Sequence, residues 1–122
     1  GIGDLEKMIK RCRKNIPVLK ELSVTYPFRK NAPPTNKKYW ERVDDLFGDA
    51  TALCAVIGIT RPTYHWIVMA RDGGRMQFTD STAGALCVWK DRTHLFARER
   101  HADPNIWLIC REEFILFSKL SE

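Results

Sequence analysis

The sequence Asp72-Gly73-Gly74 separates two short runs of strand-forming side chains and predicts a β-hairpin. Residues 64–70 and 75–79 are rich in β-branched, aromatic and methionine side chains, which favour strands. A tight turn between paired strands needs positive φ angles, and glycine adopts them without strain. Because strand pairing fixes which side chains meet, this hairpin constrains the fold more than any other stretch of the chain.

A two-residue turn at Asp72-Gly73 would set the register of the hairpin. The predicted pairs are Arg71 with Gly74, Met69 with Met76, Ile67 with Phe78 and His65 with Asp80. The last pair places an imidazole opposite a carboxylate at the open end. A carboxylate bound to one ring nitrogen fixes the histidine tautomer and leaves the other nitrogen free as a base. We therefore predict a His65–Asp80 contact of about 2.7–3.2 Å, directly or through one water. A purely structural hydrogen bond is the alternative.

The length of 122 residues predicts a single domain, residues 1–122, or a fragment of a larger one. Four Trp and six Phe argue against disorder. No run is long enough for a membrane span, and no signal peptide begins the chain. The four cysteines are widely spaced without a CxxC pair, so we expect no zinc site and no cofactor. Three of them lie in apolar runs and are predicted to be buried thiols, which favours a reducing, cytoplasmic location: Cys54, Cys87 and Cys110.

The excess of Lys and Arg is concentrated in residues 7–20 and 29–42. A solvated basic face explains most such runs, so a nucleic-acid partner is not our first expectation. The alternative is a small basic module whose first helix lies on phosphate. The side chains that would then contact phosphate are Lys7, Lys10, Arg11, Arg13 and Lys14.

Hydrophobic periodicity predicts an α+β fold, with one or two N-terminal helices on an antiparallel sheet of five to six strands. The predicted helices are residues 4–13 and 37–47, the second ended by Gly48, and residues 27–36 are predicted to form a loop. Residues 50–59 are predicted to form a central strand buried on both faces, and residues 114–117 the closing strand. The other predicted strands are 16–26, the two hairpin strands, 86–89 and 106–110. Arg111-Glu112-Glu113 is predicted to be a bulge or tight turn. Residues 90–103, with His94 and His101, are charged and irregular.

Several segments resemble the C-terminal half of papain-like cysteine peptidases, in particular the bacterial, bacteriocin-processing C39-like group. The segment that begins His65-Trp66 and ends Thr79-Asp80-Ser81 resembles the family's histidine and carboxylate strands. LEKMIKRCRKNIPVL resembles its helix and following strand, and ICREEFILF resembles its closing strand. The resemblance covers most of the chain and implies the sheet half of a papain-like fold.

By this resemblance His65 is the general base and Asp80 its orienter in a hydrolase that acts on a peptide or amide bond. The family's nucleophilic cysteine stands at the N-terminus of a helix, where the dipole lowers the thiol pKa. No cysteine here has that setting, and Cys12 lies near the end of its predicted helix. The nucleophile would then come from a segment before Gly1 or from another chain, and this chain alone would have no peptidase activity.

Two alternatives remain besides the peptidase-related domain. One is a non-catalytic relative that binds a peptide or protein in the same groove, and the other is the nucleic-acid-binding module. A half-domain would expose a sheet face or edge, so we also predict a homo-oligomer or exchange of segments between chains.

Overall fold

The computed structural model describes residues 2–61, 65–80, 87–89 and 108–120 of the chain. Within these ranges it does not describe the side chains of Ile2, Arg61, His65, Asp80 and Cys87–Trp89. The elements are α1 (Ile2–Asn15), a 3-10 helix (Pro17–Glu21), β1 (Leu22–Thr25), α2 (Asn36–Phe47), β2 (Ala52–Arg61), β3 (His65–Asp72), β4 (Arg75–Asp80), β5 (Cys87–Trp89) and β6 (Leu108–Lys119).

The six strands of the described chain form one antiparallel sheet in the order β1-β6-β2-β3-β4-β5. The predicted α+β class, the strand number and the two helices are confirmed. The position of strand β6 differs from the prediction of a closing strand, because β6 lies between β1 and β2 rather than at an edge of the sheet. It is also a single strand, where the sequence predicted two strands separated by residues 111–113. The predicted irregularity at these residues is nevertheless present as a bulge within β6.

Helix α2 packs on one face of the sheet and forms the core with it. The Thr35 side chain caps the helix by accepting a hydrogen bond from the Lys38 backbone N–H at 3.1 Å, and Gly48 ends it as predicted. Its buried side chains are Tyr39, Val43 and Phe47. They pack against Phe28 and the sheet residues Ala52, Ala55, Ile57, Ile59, Ile67, Met69, Phe78, Ile109, Phe114 and Leu116.

Helix α1 lies on the opposite face. Phe117 follows the core residue Leu116 and therefore points away from α2, because successive side chains of a strand alternate. Phe117 lines a small hollow together with Met8, Ile9 and Cys12 of α1. The helix is two residues longer at each end than predicted, and only Leu5 is buried among its described hydrophobic side chains.

The predicted strand over residues 16–26 is wrong in its first half. Residues Pro17–Glu21 form a 3-10 helix, and only Leu22–Thr25 pair with β6. Proline has no N–H to donate to a strand ladder, whereas it fits the first turn of a helix. The Leu19 N–H donates to the Ile16 carbonyl at 3.1 Å and closes that turn.

Strand β2 is central as predicted, between β6 and β3, but it is fully buried on one face only. Ala55, Ile57 and Ile59 are inaccessible to solvent on the α2 side. Cys54 and Val56 on the other side are half-buried, because α1 covers β1 and β6 and leaves part of β2 open. Continuous apolar sequence therefore did not distinguish a doubly covered strand from a partly covered one.

Candidate functional site

The hairpin of β3 and β4 exists, but its turn lies one residue later than predicted. Gly73 and Gly74 form the turn, with φ of 60° at Gly73, and Asp72 pairs with Arg75. Gly73, at the first central position of the observed turn, adopts this positive φ without the strain that Asp72 would bear there. Asp72 instead accepts a hydrogen bond from the Gln77 side-chain amide across the ladder.

This turn shifts every pair of the predicted register by two residues. Met69 pairs with Phe78 and Arg71 with Met76, instead of Met69 with Met76 and Ile67 with Phe78. A shift of two residues leaves the two faces unchanged. Ile67, Met69 and Phe78 all lie in the core, as the predicted common face requires, and Met76 packs against it.

The predicted direct pairing of His65 with Asp80 is wrong, because the hairpin register, in which Val68 pairs with Thr79, does not place Asp80 opposite His65. On the other edges of the hairpin, His65 pairs with Ile59 of β2 and Asp80 with Cys87 of β5. His65 nevertheless begins β3 and Asp80 ends β4, so the two backbones lie at the open end of one hairpin. The predicted His65–Asp80 hydrogen bond concerns side chains outside the described ones, and it stays a prediction. His94 and His101 also lie outside the described residues.

Three cysteines with described side chains are free thiols, and none is fully buried: Cys12, Cys54 and Cys110. Burial raises the pKa of the Cys54 thiol. Burial also raises the pKa of Cys110, and the nearby Glu113 and Glu112 carboxylates raise it further. A cysteine nucleophile needs the opposite shift, toward the thiolate. Neither Cys54 nor Cys110 therefore has the lowered thiol pKa of a nucleophile. The Cys87 side chain is not among those that the structure describes.

The bulge of β6 is the most irregular part of the described sheet. Ile57 pairs with Phe114 and Ile59 with Ile109, so residues 110–113 stand opposite the single residue Gly58. A Cβ atom at Gly58 would lie 2.5 Å from Glu113 Oε2 and 3.5 Å from the Cys110 Cβ. The sequence indicated a bulge here, but it gave no sign that Gly58 provides the space for it.

Arg111 fastens the bulge to the start of α2. Its Nε donates to the Pro33 carbonyl at 2.9 Å, and its guanidinium also donates to the Asn36 side-chain oxygen at 3.2 Å. Tyr39 of α2 lies close enough to Cys110 for their charged forms to repel each other. Burial, with this repulsion as a smaller cause, raises the pKa of Tyr39 well above its usual value. The buried Tyr39 hydroxyl has no hydrogen-bond partner among the described groups.

A cleft of about 140 Å³ adjoins the bulge and is lined by Tyr26, Arg29, Glu112, Glu113 and Phe114. The Arg29 guanidinium lies 4.0 Å from the centre of the Tyr26 ring and forms an ion pair with Glu6 of α1. Its charge is thus already neutralised within the protein. The cleft is small, and its lining combines two carboxylates with an arginine that is already paired and includes no cysteine, which is not the arrangement of an acyl-transfer site.

The described residues contain no group of three or more His, Cys, Asp or Glu side chains placed to hold a metal ion. In the same part of the chain, no helix is both long and apolar enough to cross a membrane. Searches of protein-family models, curated proteins and solved structures gave no match to this chain.

Proposed function

We propose that this chain is the histidine- and carboxylate-bearing sheet of a papain-like, C39-like cysteine peptidase-related domain that acts on a peptide or amide bond. The observation that supports the proposal is the position of His65 and Asp80 at the open end of one hairpin. The antiparallel sheet with preceding helices agrees with the sheet half of such a fold. His65 is the proposed general base and Asp80 the residue that orients it.

The observed register makes the proposed contact diagonal rather than direct. In antiparallel strands, diagonal neighbours on one face lie roughly 7–8 Å apart at their Cα atoms, within reach of long or ring-bearing side chains. An imidazole and a carboxylate can hydrogen-bond across such a separation. Asp80 would then hold the His65 tautomer and stabilise the imidazolium that forms when the base takes a proton from the nucleophile.

The nucleophile is the part of the mechanism that Cys54 and Cys110 do not supply, because their thiols have raised pKa values. We propose that a cysteine outside this chain, in a missing segment or in another chain, completes the site. The thiolate would lie about 3–4 Å from the imidazole, and donors would point at the developing oxyanion. This chain by itself is then expected to bind a substrate without cleaving it.

NMR titration of His65 tests the proposed pair. Replacing Asp80 by Asn should lower the pKa of His65 by about one unit, because a nearby carboxylate stabilises the imidazolium. Asp72→Asn is the matched control, since Asp72 lies at the turn end of the same hairpin, and it should leave the His65 pKa unchanged. Equal shifts in both variants, or none in Asp80→Asn, would contradict the assignment.

A non-catalytic peptide- or protein-binding relative is the second candidate, favoured by the raised thiol pKa values of Cys54 and Cys110. Iodoacetamide labelling with peptide mapping, together with an amidase assay, separates the two. Rapid, pH-dependent labelling of one cysteine that His65→Ala abolishes would identify a nucleophile within the chain. Slow labelling of all four and no amidase activity, even with a candidate Cys-bearing segment added, would favour the binding relative.

A further inference from the structure

The exposed face of α1 carries four cations, Lys7, Lys10, Arg11 and Lys14. At 100° per residue they fall within one arc of the helix. The ion pairs formed between described residues include none of the four. Two other charged side chains of α1, in its middle and near its end, form contacts within the protein. Glu6 pairs with Arg29, and Arg13 donates to the Leu19 and Leu22 carbonyls.

Exposed aliphatic side chains lie beside these cations. Five large hydrophobic side chains of the described protein are exposed: Met8 by 54%, Ile16 by 44%, Val18 by 63%, Val68 by 39% and Leu120 by 54%. Met8 belongs to α1, Ile16 follows its C-terminus directly, and Val18 lies in the 3-10 helix that comes next. Leu120 lines the same hollow as Val18. Val68 lies apart, on β3. The other four are grouped next to charge, which indicates a contact surface rather than scattered surface residues.

Three of these side chains line two hollows that are mainly apolar, with Glu21 and Lys119 among the residues that line the second. The hollow between α1 and the sheet contains Met8 and has a volume of about 190 Å³. The hollow beside the 3-10 helix contains Val18 and Leu120 and has a volume of about 550 Å³. Leu19 and Leu22 line both, so the apolar surface is continuous from α1 to the end of β6.

We propose that this region binds the surface of an anionic lipid membrane. We call it the α1 surface and define it as Lys7, Lys10, Arg11 and Lys14 with Met8, Ile16 and Val18. Lipid headgroups supply the negative charge that the four cations lack, and the acyl boundary accepts the projecting aliphatic side chains. Nucleic acid would use the cations but would gain nothing from exposed Met8 and Val18.

Helix α2 provides the internal contrast. Its exposed charged residues include both signs, with Lys37 and Lys38 followed by Glu41, Asp44 and Asp45. Lys38 forms an ion pair with Glu41 at 3.4 Å. No exposed large hydrophobic side chain belongs to α2. A helix of similar length in the same protein thus lacks both features of the α1 surface.

Vesicle co-sedimentation of the whole chain tests the proposal. We expect binding to vesicles of phosphatidylcholine mixed with phosphatidylglycerol, weaker binding at higher salt, and little binding to phosphatidylcholine alone. Lys7→Gln/Lys10→Gln should reduce the partition coefficient at least about tenfold, since each cation near an anionic surface contributes about fivefold. The matched control Lys37→Gln/Lys38→Gln removes the same charge from α2 and should change it less than about twofold.

The aliphatic part of the surface is tested with Met8→Ser/Val18→Ser, which should also reduce partition about tenfold. All variants alter exposed side chains, and circular dichroism verifies that they fold. Equal losses in the α1 and α2 lysine variants, or no loss in the serine variant, would overturn the proposal. A DNA duplex or an acidic peptide that binds the chain in the absence of any vesicle binding would also overturn it.

Discussion

The two faces of the sheet are built differently. On the α2 side, buried aromatic rings are in contact: Phe28 lies 4.8 Å from Phe114 between ring centres, and Tyr39 lies 5.4 Å from Phe28. On the α1 side, Ile115 is fully buried, but Cys12, Leu22, Val24 and Phe117 are only half-buried around a hollow. Both faces are apolar in sequence. The difference shows that an apolar strand face does not determine how completely it will be covered.

The degree of burial also distinguishes side chains that stabilise the fold from side chains that can contact another molecule. Completely buried side chains contribute most to the free energy of unfolding, because their removal leaves a cavity. Half-exposed side chains contribute less to folding and remain available for contact with another molecule. The α2 side is therefore expected to hold the fold together, while the α1 side carries the proposed membrane contact. Each of the following experiments compares a residue with a matched one.

The largest expected effect concerns two phenylalanines of β6. Phe114→Ala should lower the free energy of unfolding by about 3–5 kcal/mol, because it removes a ring that is only 1% exposed. Phe117→Ala, three residues along the same strand but facing α1, should cost about half as much. Urea denaturation monitored by Trp fluorescence measures both. A larger loss for Phe117→Ala would reverse the assignment of the main core to the α2 side.

A smaller effect is expected for the arginines that bind the ends of the helical segments. Arg71 donates to the Phe47 carbonyl, to Ala52 O at 2.7 Å and to Asp49 O at 2.9 Å, which ties the end of α2 to the sheet. Arg71→Ala should cost about 2 kcal/mol. Arg13→Ala removes two carbonyl contacts near α1 and should cost about 1 kcal/mol.

Thermal unfolding of the two arginine variants tests this order. The comparison fails if Arg13→Ala lowers the midpoint temperature as much as Arg71→Ala does. That result would mean that α1 is held as firmly as α2. Replacing Arg71 by Lys, which keeps the charge but loses the planar fork of donors, should restore only part of the stability.

A smaller change in the free energy of unfolding is expected at the bulge of β6, where the sheet departs from regular pairing. Gly58→Ala should lower the free energy of unfolding by about 1–2 kcal/mol, because the new Cβ would lie 2.9 Å from the Cβ of Glu113. Gly74→Ala is the control: nothing lies within 4 Å of its Cβ position, and we expect a change below about 0.5 kcal/mol. Chemical denaturation compares the two, and equal costs would show that Gly58 is not required for the bulge.

The smallest effect concerns thiol reactivity. The carboxylates of Glu112 and Glu113 disfavour the Cys110 thiolate, so replacing both by Gln should lower its pKa and speed alkylation at neutral pH by about two- to fivefold. Cys54 is the internal control, because burial alone raises its pKa and no carboxylate contributes. Mass spectrometry of iodoacetamide-labelled peptides follows both sites. Equal acceleration at Cys54 would indicate general loosening of the fold instead.

Local patterns predicted most of the elements. Hydrophobic periodicity over residues 4–13 indicated α1, and the continuous apolar run over residues 50–59 indicated the central strand. The hairpin and the bulge at residues 111–113 were also correctly located. These features depend on neighbouring residues, whose periodicity and turn chemistry are present in the sequence itself.

The candidate site was predicted less well than the elements around it. His65 and Asp80 were correctly expected at the open end of the hairpin, but the hairpin register shows that their predicted direct pairing was wrong. Asp72-Gly73 and Gly73-Gly74 are both acceptable two-residue turns, and the two registers bury the same side chains. The alternation of apolar residues therefore could not choose between them.

The sequence by itself determined both α-helices, most of the strands and which hairpin residues share an apolar face, but not the 3-10 helix at Pro17–Glu21 or the continuity of β6. Only the tertiary structure decided that β6 enters the sheet between β1 and β2, that Gly58 leaves room for its bulge, and that α1 covers its face incompletely. These arrangements depend on contacts between residues far apart in the chain. Their energies come from packing and burial in three dimensions, which local propensity does not contain.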